Sequence, residues 1–169
     1  MDSQERRYAK YLEIARATKA FNEAEIGVLE EVLEDCLVEQ SEEGYILLAE
    51  QDKGEDVAFL IYGKTPMTEF TYDLYWIVVS PSYQGKGIGR RLVNRMESLI
   101  LAKREKANIR LETSGSKAYS GQRSFYEALG FRVCGRIPSF YREGDDLVTF
   151  YKFISKNNPS GGKEGNERL

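Results

Sequence analysis

The sequence predicts an α/β domain of the α+β kind, a sheet flanked by helices. Short apolar, strand-like runs recur at residues 45–50, 57–62 and 74–79 and again near the C-terminus, with two helically spaced runs between and before them. A glycine cluster, Gln84-Gly85-Lys86-Gly87-Ile88-Gly89, joins the third of these strands to an amphipathic helix beginning at Arg90. A length of 169 residues suits a single domain.

In chain order, residues 11–17 alternate weakly and read as a first strand. Ile26, Leu29, Leu33, Cys36 and Leu37 follow helical spacing, with Asn22 as the N-cap. Residues 45–50 and 57–62 form two strands joined by the polar turn Asp52-Lys53-Gly54-Glu55-Asp56, and residues 74–79 complete an antiparallel meander. Leu92, Val93, Met96, Leu99 and Ile100 line one face of the helix after the glycines. Residues 109–113 make a short strand, residues 120–129 a second helix, and residues 131–136 and 147–154 a closing hairpin. Residues 1–154 are read as one domain. Residues 155–169 are polar and glycine-rich, the composition of a disordered tail.

Composition narrows the chemistry. Apolar residues make up 41%, and eleven tyrosines help to fill a core. No run approaches the roughly 20 apolar residues that cross a bilayer, and residues 1–10 contain no hydrophobic stretch suited to a secretory signal, so the expected address is the cytoplasm and no membrane partner is expected. There is no histidine, and Cys36 and Cys134 read as buried small apolar side chains, which excludes a zinc site and Ser-His or Cys-His nucleophiles. Carboxylates, tyrosines, lysines and the backbone remain. The net charge of −3 argues against nucleic acid as a partner.

The glycine cluster presents backbone amides at a helix start, where a phosphate is stabilised by unpaired N–H groups and the helix dipole. Lys86, Arg90 and Arg91 add positive charge. A P-loop would need Ser or Thr after Lys86, where Gly87 stands. A dinucleotide fingerprint would need Gly or Ala where Arg90 or Leu92 stands.

The residues Val79-Ser80-Pro81 followed by Gln84-Gly85-Lys86-Gly87-Ile88-Gly89 resemble the coenzyme A loop of the GNAT acetyltransferase superfamily. Downstream, Tyr126-Glu127-Ala128-Leu129-Gly130-Phe131 resembles that superfamily's Tyr-x-x-Leu-Gly-Phe signature, and the two motifs stand in the family's order. The resemblance covers about residues 45–153. It implies a mixed, mostly antiparallel central sheet of about seven strands, splayed between its fourth and fifth strands, residues 72–79 and 109–113, to admit acetyl-CoA as acetyl donor with no metal. It places cofactor contacts on Ile77, Val78 and Val79 and on Gln84, Gly85, Lys86, Gly87, Ile88, Gly89 and Arg90. Those strand residues also pack as core, and the cations also read as a solvated helix start.

The implied reaction is direct acetyl transfer to a primary amine, with Tyr126 protonating the departing thiolate. A phenol with an ordinary pKa of about 10 can do this. The structural alternative for Tyr126 is a packed aromatic with its hydroxyl at the surface, and the motif position favours the donor. Arg110 and Glu112 share one face of their strand, and the context Leu111-Glu112 is similar to that of the base in the N-terminal-alanine acetyltransferases of ribosomal proteins. Pairing of Glu112 with Arg110 or Arg123, or a solvated Glu112, is the structural alternative. Tyr119, Phe140 and Tyr141 are the candidate acceptor wall, with Gly144-Asp145 read as a hairpin turn. Phe140-Tyr141 is also similar to an aromatic pair in N-terminal peptide acetyltransferases and in small prokaryotic GNAT proteins.

Residues 20–52 hold eleven carboxylates and no lysine or arginine, so they offer either a field for a cationic amine or a solvated acidic face. The acceptor is expected to be a small amino-acid-like or polyamine-like molecule. A protein N-terminus is the alternative within the same chemistry. A non-catalytic acyl-CoA sensor is the alternative of another class, and the resemblance is compatible with a homodimer.

Overall fold

A computed structural model describes residues 3–38 and 44–158. The chain divides into two compact units, Met1–Lys64 with Leu74–Met96, and Thr65–Asp73 with Glu97–Leu169. The first contains helices α1 (Ser3–Ala17) and α2 (Glu23–Val38) and strands β1 (Ile46–Asp52) and β2 (Glu55–Lys64). The second contains β4 (Lys106–Ser114), α4 (Ser120–Ala128), β5 (Arg132–Arg142) and β6 (Asp145–Ser155). Strand β3 (Thr71–Val79) and helix α3 (Ile88–Lys103) each contribute residues to both units. The sheet order is β1-β2-β3-β4-β6-β5, mixed and mostly antiparallel.

In the first unit, Tyr11, Leu12, Ile14 and Ala15 of α1 and Ile26, Leu29, Val32 and Leu33 of α2 bury one apolar face each against Phe59 and Ile61 of β2 and Val78 of β3. Helix α2 begins with a reciprocal cap. The Asn22 Oδ1 accepts from the Glu25 amide at 2.9 Å, and the Glu25 Oε2 accepts from the Asn22 amide at 2.7 Å, which satisfies two donors at the helix entry. The β1–β2 hairpin turns on Lys53 and Gly54 with φ of 50° and 84°, the left-handed pair a two-residue hairpin needs.

The expected strand at residues 11–17 is instead part of α1. Its buried residues, Tyr11, Leu12, Ile14 and Ala15, recur at helical spacing, and a window of seven residues is too short for periodicity to separate the two periods. The sheet therefore has six strands rather than seven.

In the second unit, the β3–β4 pair is parallel in the register Thr71↔Asn108 to Asp73↔Arg110. The Asp73 carboxylate accepts from Arg110 Nε at 2.6 Å and from Thr65 Oγ1 at 2.8 Å. On its other edge β4 is antiparallel to β6, from Lys106↔Ser155 to Ser114↔Leu147, and β6 pairs with β5. The buried Glu97 and Lys152 meet at 2.6 Å. Removing either partner would strand a charge, which costs more than the pair itself contributes.

Three further expectations are adjusted. The closing turn is Glu143-Gly144 rather than Gly144-Asp145, because Asp145 already pairs with Arg142 and opens β6. Cys134 is exposed rather than buried: β5 is an edge strand, and a register shift at Val133/Gly135 leaves Cys134 unpaired in the ladder. Of the expected tail, Ser155 ends β6 and bridges to Asn158, while residues 159–169 lie outside the described residues.

Helix α4 ends on Gly130, whose φ is 89°. The Phe131 amide donates to the Tyr126 carbonyl at 3.1 Å and the Gly130 amide to the Glu127 carbonyl at 3.0 Å, the paired bonds of a Schellman cap. Gly130→Ala is expected to lower stability by about 1–2 kcal/mol, since an L side chain is disfavoured in the left-handed region. Urea denaturation with an unchanged slope would report this loss.

Candidate active site

The glycine loop lies in the first unit and is fixed at both ends. The Ser80 amide donates to the Val57 carbonyl at 2.9 Å, and Gln84 Nε2 donates to the Val79 carbonyl at 3.1 Å, tying the loop to the end of β3. The Tyr83 hydroxyl donates to Asp52 at 2.8 Å, and the Lys86 ammonium lies 4.9 Å from the Tyr83 ring centroid. Arg91 donates to the Lys86 carbonyl at 3.3 Å and lies 3.7 Å from Glu50. Gly85 and Gly87 have φ of 74° and 75°. Helix α3 starts at Ile88, two residues earlier than expected, so Gly89 falls in its first turn.

Among the described residues, the backbone amides from Gly85 to Arg90 donate to no acceptor; the first loop-to-helix bond is from the Arg91 amide to the Gly87 carbonyl at 3.1 Å. Unpaired amides at the start of a helix, with positive-φ glycines that leave no Cβ in the way, fit a pyrophosphate. Ile88 is buried and anchors the loop from beneath. Val78 is buried in the core, while Ile77 and Val79 are half-buried at the end of β3.

The second unit holds the other predicted residues. Tyr126 occupies the third-from-last helical position of α4, and its carbonyl accepts from both the Leu129 and Phe131 amides. Its ring centroid lies 6.0 Å from that of Phe131 and 5.9 Å from that of Phe150. The Tyr-x-x-Leu-Gly-Phe sequence is thus a helix stop: Leu129 and Phe131 are buried, Gly130 turns the chain, and Phe131 packs back on Tyr126. Burial pushes the Tyr126 phenol up to about 12. No described residue hydrogen-bonds its hydroxyl, so it stays protonated and free to donate.

Glu112 is exposed on β4, its side chain 45% accessible, with Arg110 Nη1 3.9 Å away. Arg110 makes its shorter contact to Asp73, and Arg123 donates to the Ser114 and Ser116 carbonyls rather than to Glu112. The register aligns Glu112 with Thr149 and Gly135 in one row, and Leu111 with Phe150 and Val133 in the next. Successive rows point to opposite faces of a sheet. Tyr126 packs on Phe150, so Tyr126 and Glu112 stand on opposite faces of the β4–β6 pair.

Tyr119 ends a short 3-10 turn, Lys117–Tyr119, directly before α4. Phe140 and Tyr141 are 54% and 48% exposed on β5, with ring centroids 5.1 Å apart and planes at 87°. Of the acidic stretch, Glu25 caps α2, Glu50 faces Arg91, Asp52 accepts from Tyr83, Glu23 reaches Arg16 and Glu34 accepts from Tyr8 at 3.5 Å. Glu30 and Glu31 are exposed, and Glu39, Glu42 and Glu43 lie outside the described residues. The sequence did not point to Asp73, Phe150 or the Asp145-Asp146 pair. Only the last had a signal, two acids following a turn glycine.

This fold and these motifs are those of the GNAT acetyltransferase class. Residues 42–133 match the family model for the acetyltransferase (GNAT) domain, and the chain belongs to that family. Over 88 residues it is 35% identical to the N-alpha-acetyltransferase RimI of Mycobacterium tuberculosis, a match covering 52% of this chain and spanning about half (51%) of the relative. A crystal structure from Desulfovibrio desulfuricans assigned to the GNAT family is 32% identical, with a TM-score of 0.78, covering 85% of this chain and 90% of that one. The ribosomal-protein-S18-alanine N-acetyltransferase from Escherichia coli shares the fold at 23% identity and a TM-score of 0.68, over 92% of this chain and 91% of that one.

Among the described residues no cluster of His, Cys, Asp and Glu could hold a metal ion, and no helix is long and apolar enough to cross a membrane.

Gly87→Ala is expected to weaken acetyl-CoA binding about tenfold, since the left-handed backbone disfavours an L side chain by about 1–2 kcal/mol. The nearest atom to an added Cβ is Arg91 Nη1 at 3.9 Å, so the cost would come from the backbone rather than from crowding. Titration calorimetry with acetyl-CoA checks it.

Proposed function

We propose that the protein transfers the acetyl group of acetyl-CoA directly to a primary amine, and that the amine is the N-terminal α-amine of a polypeptide. The observation that carries the reading is the buried Tyr126 phenol at the helix stop of α4, with no described residue bonded to its hydroxyl, in a chain whose glycine loop leaves a run of amides unpaired at the start of α3. Direct transfer needs an acceptor for the proton of the amine and a donor for the thiolate, both within reach of the one carbon that bears them.

When bound, acetyl-CoA supplies a thioester as the electrophile. The amides from Gly85 to Arg90 would hold its pyrophosphate, and the backbone of Ile77, Val78 and Val79 would lie along its acyl arm, with an amide near Val78 or Val79 polarising the carbonyl. Glu112, solvent-exposed and on the face away from Tyr126, would take the proton of the attacking amine by way of water rather than by direct contact. Tyr126 gives its proton to the sulfur, and with its pKa raised to about 12 it is a donor throughout the physiological range.

An α-amine, pKa about 8, is deprotonated more readily than a lysine side chain, pKa about 10.4, and asks less of a carboxylate base. The exposed Phe140-Tyr141 pair offers apolar area to the residues that follow an N-terminus. The similarity to RimI supports the same acceptor class. A small cationic amine is the second reading, favoured by the absence of lysine and arginine from residues 20–52.

A thiol-release assay over peptides with varied N-termini, polyamines and aminoglycosides tests the acceptor. Turnover confined to peptides supports the proposal, and turnover confined to polyamines or aminoglycosides supports the second reading. Tight acetyl-CoA binding with no turnover of any class favours a sensor.

Tyr126→Phe is expected to lower kcat about 100-fold with acetyl-CoA affinity unchanged, the usual scale for losing a general acid. In the wild type, kcat/KM for the amine should rise with pH as the amine deprotonates. Tyr126 should impose no falling limb below about pH 10, because an acid with so high a pKa keeps its proton there.

A further inference from the structure

The two carboxylates that open β6 join the two segments assigned above to the acceptor side. On one side, the Asp146 carboxylate accepts from the Ser139 amide at 2.9 Å and from Arg136 Nη1 at 2.7 Å. Ser139 is a non-glycine residue with φ of 52°, inside the irregular register between Ile137 and Arg142, and its hydroxyl accepts from the Gly144 amide at 3.1 Å. These bonds hold in place a conformation that β5 would not adopt unaided, and the next two residues are Phe140 and Tyr141.

On the other side, the Asp146 carbonyl accepts from the Gly115 amide at 2.7 Å. The buried Asp145 carboxylate accepts a short hydrogen bond from the Ser114 hydroxyl, which itself accepts from the Ser116 amide at 3.0 Å. Arg123 of α4 closes the same loop, donating to the Ser114 and Ser116 carbonyls at 2.8 and 2.7 Å. This loop leads to Tyr119 and into the helix that carries Tyr126. The contact is close: a Cβ on Gly115 would meet Arg136 Nη1 at 3.2 Å, the Asp146 Cβ at 3.3 Å and Val148 Cγ2 at 3.3 Å.

We propose that Asp145 and Asp146 are a specificity-determining positioning pair that locks the Phe140-Tyr141 wall, held by the Asp146 carboxylate, to the Ser114–Tyr119 loop, held by the Asp145 carboxylate, so that the two move as one body. This rests on the transferase reading for its kinetic consequence, though not for its structural one. Asp146 touches neither reacting group. Its carboxyl is held below the usual carboxylate range, first by the Ser139 amide and then by Arg136, so it remains charged where the enzyme works.

The test compares Asp146→Ala, Asp146→Asn and Ser139→Ala with the wild type. Amide hydrogen exchange is followed by mass spectrometry in the absence of acetyl-CoA. Kinetics use a hexapeptide with a free N-terminal alanine and spermidine as amine probes. In Asp146→Ala, exchange should rise about tenfold in residues 137–144, whose bonds to a charged group are lost. If the pair couples the two segments, exchange should rise also in residues 114–119, whose own bonds the substitution leaves in place, while residues 84–90 stay unchanged. KM for the peptide should rise by a similar factor while KM for acetyl-CoA stays within about twofold. Asp146→Asn, which keeps an acceptor for the Ser139 amide, should recover part of both effects.

Faster exchange in the hairpin alone, or a KM for acetyl-CoA that rises in step with that of the peptide, overturns the proposal. Turnover of neither probe by the wild type counts against the transferase reading with these amines, and the exchange pattern then decides the coupling by itself. If Asp146→Ala does not fold, Asp146→Asn and Ser139→Ala carry the comparison, since the second removes only the acceptor of the Gly144 amide.

Discussion

One parallel pairing organises the molecule. Parallel neighbours cannot be closed by a tight turn, and the chain from β3 to β4 must travel the length of the sheet and return. It does so through α3, and any helix on such a route begins with amides that have no partner in the preceding turn. Here those amides follow Gly85 and Gly87, whose positive φ values bend the loop without side chains over it. The run of unpaired amides proposed to hold the pyrophosphate is thus a by-product of topology that glycine makes usable. Asp73 with Arg110, and the Arg104 Nε that donates to the Tyr72 hydroxyl at 2.7 Å, fasten the pairing from its flanks.

The other edge of β4 gives the chemistry its two sides. Antiparallel pairing with β6 fixes which residues share a row, and alternation along the strand sends Glu112 to one face and Leu111 to the other. Helix α4 covers the Leu111–Phe150 face because its Schellman cap turns Phe131 back onto Tyr126. Burial raises the pKa of the Tyr126 phenol, while Glu112 stays exposed on the other face, so under the proposed reaction any proton passing to Glu112 would travel through water.

Features encoded over a few residues were legible in the sequence, and those that depend on distant partners were not. The Asn22 cap, the Lys53-Gly54 turn, the left-handed Gly130 and the glycine loop each require one residue type at one local position, so they could be read directly. The segment at residues 11–17 was misread as a strand because its helical pattern extends beyond it in the N-terminal direction, to the half-buried Tyr8. The exposure of Cys134 follows from the register of an edge strand, which no local pattern encodes. Likewise, Asp145 meets Ser114 across 31 positions, and Asp73 meets Arg110 across 37. Those carboxylates look like ordinary surface acids until the strand order brings their partners to them.

The most direct test of the account is a crystal structure of the protein with coenzyme A and an N-terminal peptide bound. The account predicts the pyrophosphate on the amides from Gly85 to Arg90, the Tyr126 hydroxyl within hydrogen-bond reach of the coenzyme sulfur, and the peptide α-amine beside that sulfur with a water path to Glu112. A sulfur out of reach of Tyr126, or a peptide amine with no water path to Glu112, would contradict the assignment of acid and base.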